Sequence, residues 1–165
     1  MTPLRLVLMR HAKSSWNHPG MMDHDRPLND RGRRSARAMG DWLRAVNHVP
    51  DQILSSTATR TRETAALLGF EIAPDFTRKL YHAGPDEMMG VLNGATARTV
   101  LMLGHNPGIA WFADMLLGRP PEHPRFADYP TCATLVAEFP ADAWPDVAEG
   151  SGTALQFAVP RDLMT

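Results

Sequence analysis

Cysteine is nearly missing from this chain of 165 residues, where Cys132 stands alone. A single cysteine excludes an intramolecular disulfide framework and fits a reducing compartment. Net charge is nearly missing too, because 17 Lys and Arg oppose 18 Asp and Glu and leave −1. So balanced a chain has no polycationic field for nucleic acid, although basic residues cluster between Arg26 and Arg37 and at Arg60 and Arg62. Apolar runs are short. None would span a bilayer, and Arg5 and Arg10 break the N-terminal run that a signal peptide would need. No CxxC, HExxH or Walker A pattern occurs. The expectation is a cytoplasmic protein without a membrane or nucleic-acid partner, which meets an anionic ligand at particular sites.

What is present is an alternation of strand and helix signals. Residues 4–9 form an apolar run that reads as a buried strand. Residues 16–28 read as a loop broken by Pro19, Gly20 and Pro27. Asn29 or Asp30 then caps a helix reaching about Val46, with Ala36, Met39, Leu43 and Val46 on one apolar face. Residues 52–55 read as a second strand, and a helix over 58–68 stops at Gly69. Residues 70–72 read as a third strand, and 85–92 as a short helix started by Pro85. A strand over 99–103 precedes a helix over 109–117. Residues 118–130, rich in proline and charge, read as a long loop, and 133–139 and 153–159 as late buried strands. The length suits one domain, 1–165. The alternation predicts an α/β fold, a three-layer α/β/α sandwich around a mostly parallel sheet. In such sheets ligands bind at the carboxyl ends of strands, near a topological switch point.

Three polar clusters fall at or just past predicted strand ends. The first is Leu8-Met9-Arg10-His11-Ala12. A strand holds the backbone rigid, so a histidine at its end can be aimed, and the arginine brings a planar fork of donors that fits phosphate. A histidine beside a bound phosphoryl group can attack phosphorus and carry the group covalently. The second cluster, Ser55-Ser56-Thr57-Ala58-Thr59-Arg60-Thr61-Arg62, runs into a helix with an arginine in its first turn. The third, Leu103-Gly104-His105-Asn106-Pro107-Gly108, sets a histidine between glycines, where backbone can approach a ligand closely. Each has a plain structural explanation by itself: a solvent-facing arginine, a hydrogen-bonded histidine, the glycines of a turn. Together they bring two arginines and two histidines to one rim. Phosphoryl transfer needs little more than in-line positioning and positive charge on the equatorial oxygens.

In their order, these motifs resemble the histidine phosphatase superfamily, also called phosphoglycerate mutase-like. Arg10-His11-Ala12 stands where that family carries Arg-His-Gly, and Ser14, Trp16 and Asn17 continue its pattern. Leu28-Asn29-Asp30-Arg31-Gly32 matches the family's Leu-(Thr/Asn)-x-x-Gly helix start. The segment from Ser55 to Arg60 resembles its Ser-Ser-Pro-x-x-Arg, with Thr57 for proline, and Gly104-His105-Asn106 matches its second-histidine motif. Lys13 to Trp16, Arg26-Pro27-Leu28-Asn29, Pro107-Gly108 and Pro130-Thr131 resemble the short SixA-type phosphohistidine phosphatases in particular. The resemblance implies one histidine phosphatase domain without a large cap insertion. It implies His11 as the nucleophile, and Arg10, Arg60 and His105 as the groups that hold the phosphoryl oxygens. Ser14, Asn17 and Asn106 would bind substrate. No cofactor and no metal are implied, because the arginines supply the charge.

One departure from the family separates possible substrates. Mutases and broad phosphatases of the family carry a glutamate shortly after the strand that follows the arginine helix, and it protonates the leaving oxygen. Here that stretch is Leu80-Tyr81-His82-Ala83, without a carboxylate, and Asp86 and Glu87 come slightly later. His82, Asp86 and Glu87 are thus the candidate acids. An alkoxide leaving group needs an acid, whereas imidazole, with a free pKa of about 6.5, takes its proton near neutral pH. The expected activity is hydrolysis of protein phosphohistidine in signal transduction, the partner being a phosphorylated protein such as a histidine phosphotransfer domain. A small phosphorylated substrate is the alternative on the same pocket. A non-catalytic phosphate-binding module is a second alternative. A metalloenzyme built on His11, His82 and His105 is a third, although their spacing matches no ligand signature.

Overall fold

The computed structural model describes residues 3–164. Six strands form one sheet: β1 (Leu4–Arg10), β2 (Gln52–Ser56), β3 (Asp75–Thr77), β4 (Thr99–Gly104), β5 (Thr134–Phe139) and β6 (Thr153–Ala158). Their order is β3-β2-β4-β1-β5-β6. The strands from β3 to β1 run parallel, and β5 and β6 are each antiparallel to the strand before them in that order. The helices are α1 (Asp30–Ala45), α2 (Thr59–Leu68), α3 (Pro85–Asn93), α4 (Gly108–Leu116) and the short α5 (Pro160–Leu163). No helix among the described residues is long and apolar enough to cross a membrane.

Alternation along β1 builds the layers. Side chains of a strand point to opposite faces in turn. Leu4, Leu6 and Leu8 therefore share one core with Met88 and Leu92 of α3 and Ile109, Phe112 and Leu116 of α4. Val7 and Met9 share the other with Met39 and Leu43 of α1 and Ala65 and Leu68 of α2. Both faces are covered, which is why β1 is apolar without alternation from Leu6 to Met9. Each such buried leucine contributes about 1.5–3 kcal/mol of transfer free energy.

The start of α1 is fixed by Asn29, whose side chain accepts from the Gly32 amide at 2.8 Å. Its buried stripe is Ala36, Met39 and Leu43, while Val46 is the half-buried C-terminal cap. Gly32 and Gly40 allow the helix to lie directly on neighbouring backbone. A Cβ on Gly32 would collide with the Lys13 carbonyl, and one on Gly40 with the Leu68 carbonyl. Gly69, at φ 79, ends α2 in the left-handed conformation that glycine adopts without strain.

One expected strand lies elsewhere, and another is less buried than expected. Residues 70–72 are not a strand; β3 lies at Asp75–Thr77. Phe70 instead lies under the Arg44 guanidinium, 5.2 Å from its ring centroid. β3 is an exposed edge of three residues, so it carries no apolar alternation to read. β6, at Thr153–Ala158 as expected, is the other edge, and Ala158 is its one buried residue. The segment 118–130 is a loop as expected, held down by Tyr129, which is fully buried and donates its hydroxyl to the Leu8 carbonyl at 2.5 Å.

Candidate active site

Sheet register assembles the site. Arg10 lies opposite Gly104 across the parallel β1–β4 pair, so the next residue of each strand leaves the sheet side by side. The His11 amide donates to the Gly104 carbonyl at 3.1 Å, and the His11 and His105 ring centroids are 5.2 Å apart. β2 pairs with the other side of β4 and delivers Ser56, with Arg60 in the first turn of α2. These ends surround a cavity of about 280 Å³ lined by Arg10, His11, Arg60, His105, Asp23 and His82, among others.

His11 is held in one tautomer. Its Nδ1 lies 2.7 Å from the Ala12 carbonyl oxygen. A carbonyl only accepts, so Nδ1 carries the hydrogen and Nε2 keeps its lone pair. Burial pushes the His11 pKa down to about 3, with Arg10, Arg60 and Arg26 acting in the same direction against the Ala12 bond. His11 is therefore a neutral, oriented imidazole at neutral pH. The Ala12 amide in turn donates to Thr64 Oγ1 at 3.0 Å, and Thr64 donates to the Arg60 carbonyl at 2.7 Å. One chain of hydrogen bonds thus ties the His11 backbone to the turn that carries Arg60.

His105 is also neutral, because burial, then His11, Arg60 and His82, push its pKa down to about 2. Its Nε2 lies 2.9 Å from Ser56 Oγ. A Ser56 hydroxyl donating to Nε2 leaves Nδ1 as an N–H. That Nδ1, Nε of Arg10 and Nε of Arg60 are buried without a protein partner. Buried polar atoms left unpaired are costly and uncommon. Three of them on residues lining one cavity make a donor set suited to an oxyanion.

The arginines are braced differently. Arg10 Nη1 donates to the Tyr129 carbonyl at 3.2 Å, and Asn106 Nδ2 donates to the same carbonyl at 3.0 Å and to that of Asp128 at 2.9 Å. Arg60 donates from Nη1 to the Asp23 carbonyl at 2.7 Å and from Nη2 to its carboxylate at 3.0 Å. That carboxylate also accepts from the Tyr81 hydroxyl at 2.6 Å and His82 Nε2 at 3.0 Å, and from Arg26 Nε at 3.2 Å. Burial alone would raise the Asp23 pKa. The bonds from Tyr81, Arg60 and His82 outweigh it and hold the carboxyl well below the usual range.

The cavity gathers Arg10, His11, Arg60 and His105 as expected, and Ser14 and Asn106 line it too. Ser14 Oγ is occupied by Arg26 Nη1 at 2.7 Å, and both amide donors named above tie Asn106 to backbone, so each braces the wall. Asn17 is not brought in: it is exposed and absent from the lining. Asp86 and Glu87 do not line the cavity either, and Glu87 accepts from the Gly84 amide at 3.2 Å to cap α3. His82 does line it. Arg62 lies outside, its guanidinium 4.0 Å from the Phe76 ring centroid. Asp23 and Tyr81 were not foreseen. Asp23 sits in a short 3-10 turn (Asp23–Asp25) within the irregular segment before α1, where no periodicity singles it out.

Residues 6–82 match the family model of the histidine phosphatase superfamily, branch 1. SixA of Nakamurella multipartitia, provisionally a phosphohistidine phosphatase, superposes with a TM-score of 0.83 at 30% identity, covering 97% of this chain and 98% of that one. The chain belongs to the histidine phosphatase superfamily. An uncharacterised protein of Mycobacterium tuberculosis is 37% identical over 160 residues, which span 93% of this chain and 100% of that protein. A second SixA, from Agrobacterium tumefaciens and with the same provisional assignment, gives a TM-score of 0.79 at 26% identity over 97% and 100% of the two chains. This histidine phosphatase thus has the phosphoglycerate mutase-like fold and the reaction class of a hydrolase. Ala12, where the motif carries glycine, is accommodated because its methyl group is buried in the core beneath α1 and α2.

Proposed function

We propose that this histidine phosphatase hydrolyses protein phosphohistidine through a phosphoryl group carried on His11, without a metal ion. One observation carries the choice of substrate: Asp23, the single carboxyl group lining the cavity among the described residues, is held ionised by Tyr81, Arg60 and His82. An ionised carboxylate has no proton to give an alkoxide. A phosphohistidine ring protonated at its other nitrogen needs none, because it departs as neutral imidazole.

The first step forms a bond from His11 Nε2 to phosphorus and breaks the substrate P–N bond, whose electron pair returns to the departing ring. Arg10, Arg60 and the His105 Nδ1–H steady the equatorial oxygens. In the second step water attacks phosphorus, its proton passes to the phosphate released, and the electron pair of the broken bond returns to His11 Nε2. The Ala12 carbonyl supports both halves. It keeps the hydrogen on Nδ1, so His11 attacks with a free Nε2 and later leaves as a neutral ring.

Comparing kcat/KM on a phosphohistidine protein and on sugar phosphates tests the reading. A general acid contributes about 10²–10⁴-fold, so phosphohistidine is expected to be favoured by at least about 10²-fold. A clear preference for the sugar phosphate overturns it. The oxygen-ester reading would need His82 as donor, since that imidazole does line the cavity.

A further inference from the structure

A second cavity, of about 290 Å³, adjoins the catalytic one and shares Lys13 and Thr131 with it. Its other walls include Arg31 from the start of α1, Arg125 from the long loop and Arg161 from α5. Arg125 is already matched, with Nε 3.0 Å and Nη2 2.9 Å from Asp128 Oδ2. The neighbouring Asp162 is occupied as well, accepting from His123 Nε2 at 2.9 Å and from the Val159 amide at 3.0 Å. Lys13, Arg31 and Arg161 are exposed, and among the described residues none has an acidic partner within salt-bridge distance. In a chain of net charge −1, three unmatched cations around one hollow are a local concentration of positive charge.

The catalytic mechanism has no use for this hollow, since the phosphoryl group is held by Arg10, Arg60 and His105. We propose that the second cavity receives a carboxylate side chain flanking the phosphohistidine of a protein substrate, and so selects phosphohistidines in acidic surroundings. The inference rests on the phosphohistidine reading above. Two further features favour a macromolecular substrate. The two hollows share Lys13 and Thr131 as wall residues, so the second lies within reach of residues flanking a phosphohistidine seated at His11. The rim also presents Trp16, 78% exposed, and the nearby segment presents Met22, 73% exposed. Exposed apolar side chains beside a charged hollow are features of a surface that meets another protein.

The test uses four synthetic peptides: phosphohistidine or phosphoserine at the centre, flanked by glutamates or by glutamines. Binding is measured on the His11→Ala protein through tryptophan fluorescence, and turnover on the wild type. The Glu-flanked phosphohistidine peptide is expected to bind about tenfold tighter than its Gln counterpart, because two exposed ion pairs of up to about fivefold each fall in that range. The preference should shrink as salt rises. Adding Arg31→Ala and Arg161→Ala together should bring the two Kd values to within about twofold, the loss being confined to the Glu-flanked peptide. Equal binding of Glu- and Gln-flanked peptides by the parent protein overturns the proposal, as does a preference that survives the double substitution. If the wild type turns over only the phosphoserine pair, the phosphohistidine reading fails. The acidic-flank preference is then judged on that pair by the same ratios, so the two failures are distinct.

Discussion

Replacing His11 by Asn removes a cost of folding that appears only in acid. In the unfolded chain a histidine titrates near 6.5, whereas in the folded protein burial holds His11 neutral down to about 3. Above pH 6.5 both states are neutral, and the burial is free of any proton penalty. As the pH falls below 6.5 the unfolded chain binds a proton that the folded protein refuses, so stability drops by about 1.36 kcal/mol per pH unit. The loss continues until the pH reaches about 3. Between pH 7 and pH 5 it comes to about 2 kcal/mol for this one side chain. His105, pushed to about 2, adds the same loss over that interval. Urea unfolding of the wild type and of His11→Asn at pH 7 and pH 5 measures the difference directly. The wild type should lose about 2 kcal/mol more than the variant between the two pH values, and about 4 kcal/mol more than His11→Asn/His105→Gln. Comparing slopes cancels any constant penalty from the substitutions. Parallel losses in all three proteins would mean that the two histidines are not held neutral, and the tautomer argument for His11 would fall with them.

Two other perturbations separate site from scaffold. His82→Gln leaves kcat/KM on phosphohistidine within about threefold of wild type but lowers any phosphoester activity by about 10²-fold, which steady-state kinetics on the two substrates will read. Gly32→Ala drives a methyl group into the Lys13 carbonyl, two residues from His11, and should cost about 1–3 kcal/mol in urea unfolding at pH 7.

Legibility in the sequence followed burial and repetition. β1 could be read because both of its faces are covered and every residue from Leu6 to Met9 is buried. α1 could be read because Asn29 caps it and a buried stripe repeats at the helical period. β3 lies a few residues beyond its expected place, and β6, a strand where expected, is less buried than expected, because edge strands of a closed two-faced core need little apolar patterning. Arg10, His11, Arg60 and His105 announced themselves through motifs at strand ends. The groups that tune them did not. The acceptor for His11 is the Ala12 carbonyl, which no side-chain pattern records. Asp23 reaches Arg60 across a separation of 37 residues from an irregular segment, and the Tyr129 carbonyl reaches Arg10 across 119. Such contacts depend on how loops close over the sheet, and local sequence carries little of that information. Asn17 was drawn in by its motif, yet the chain turns it into solvent.

Trapping the phosphorylated enzyme tests the central claim most directly. The wild type is mixed with a phosphohistidine substrate, quenched in alkali during turnover, and examined by peptide mass spectrometry and phosphorus NMR. The account predicts one phosphorylated side chain, His11, with phosphorus on Nε2, because Nδ1 is committed to the Ala12 carbonyl. Phosphorus on Nδ1, phosphorylation of another residue, or turnover with no phosphoenzyme at any time point would contradict it.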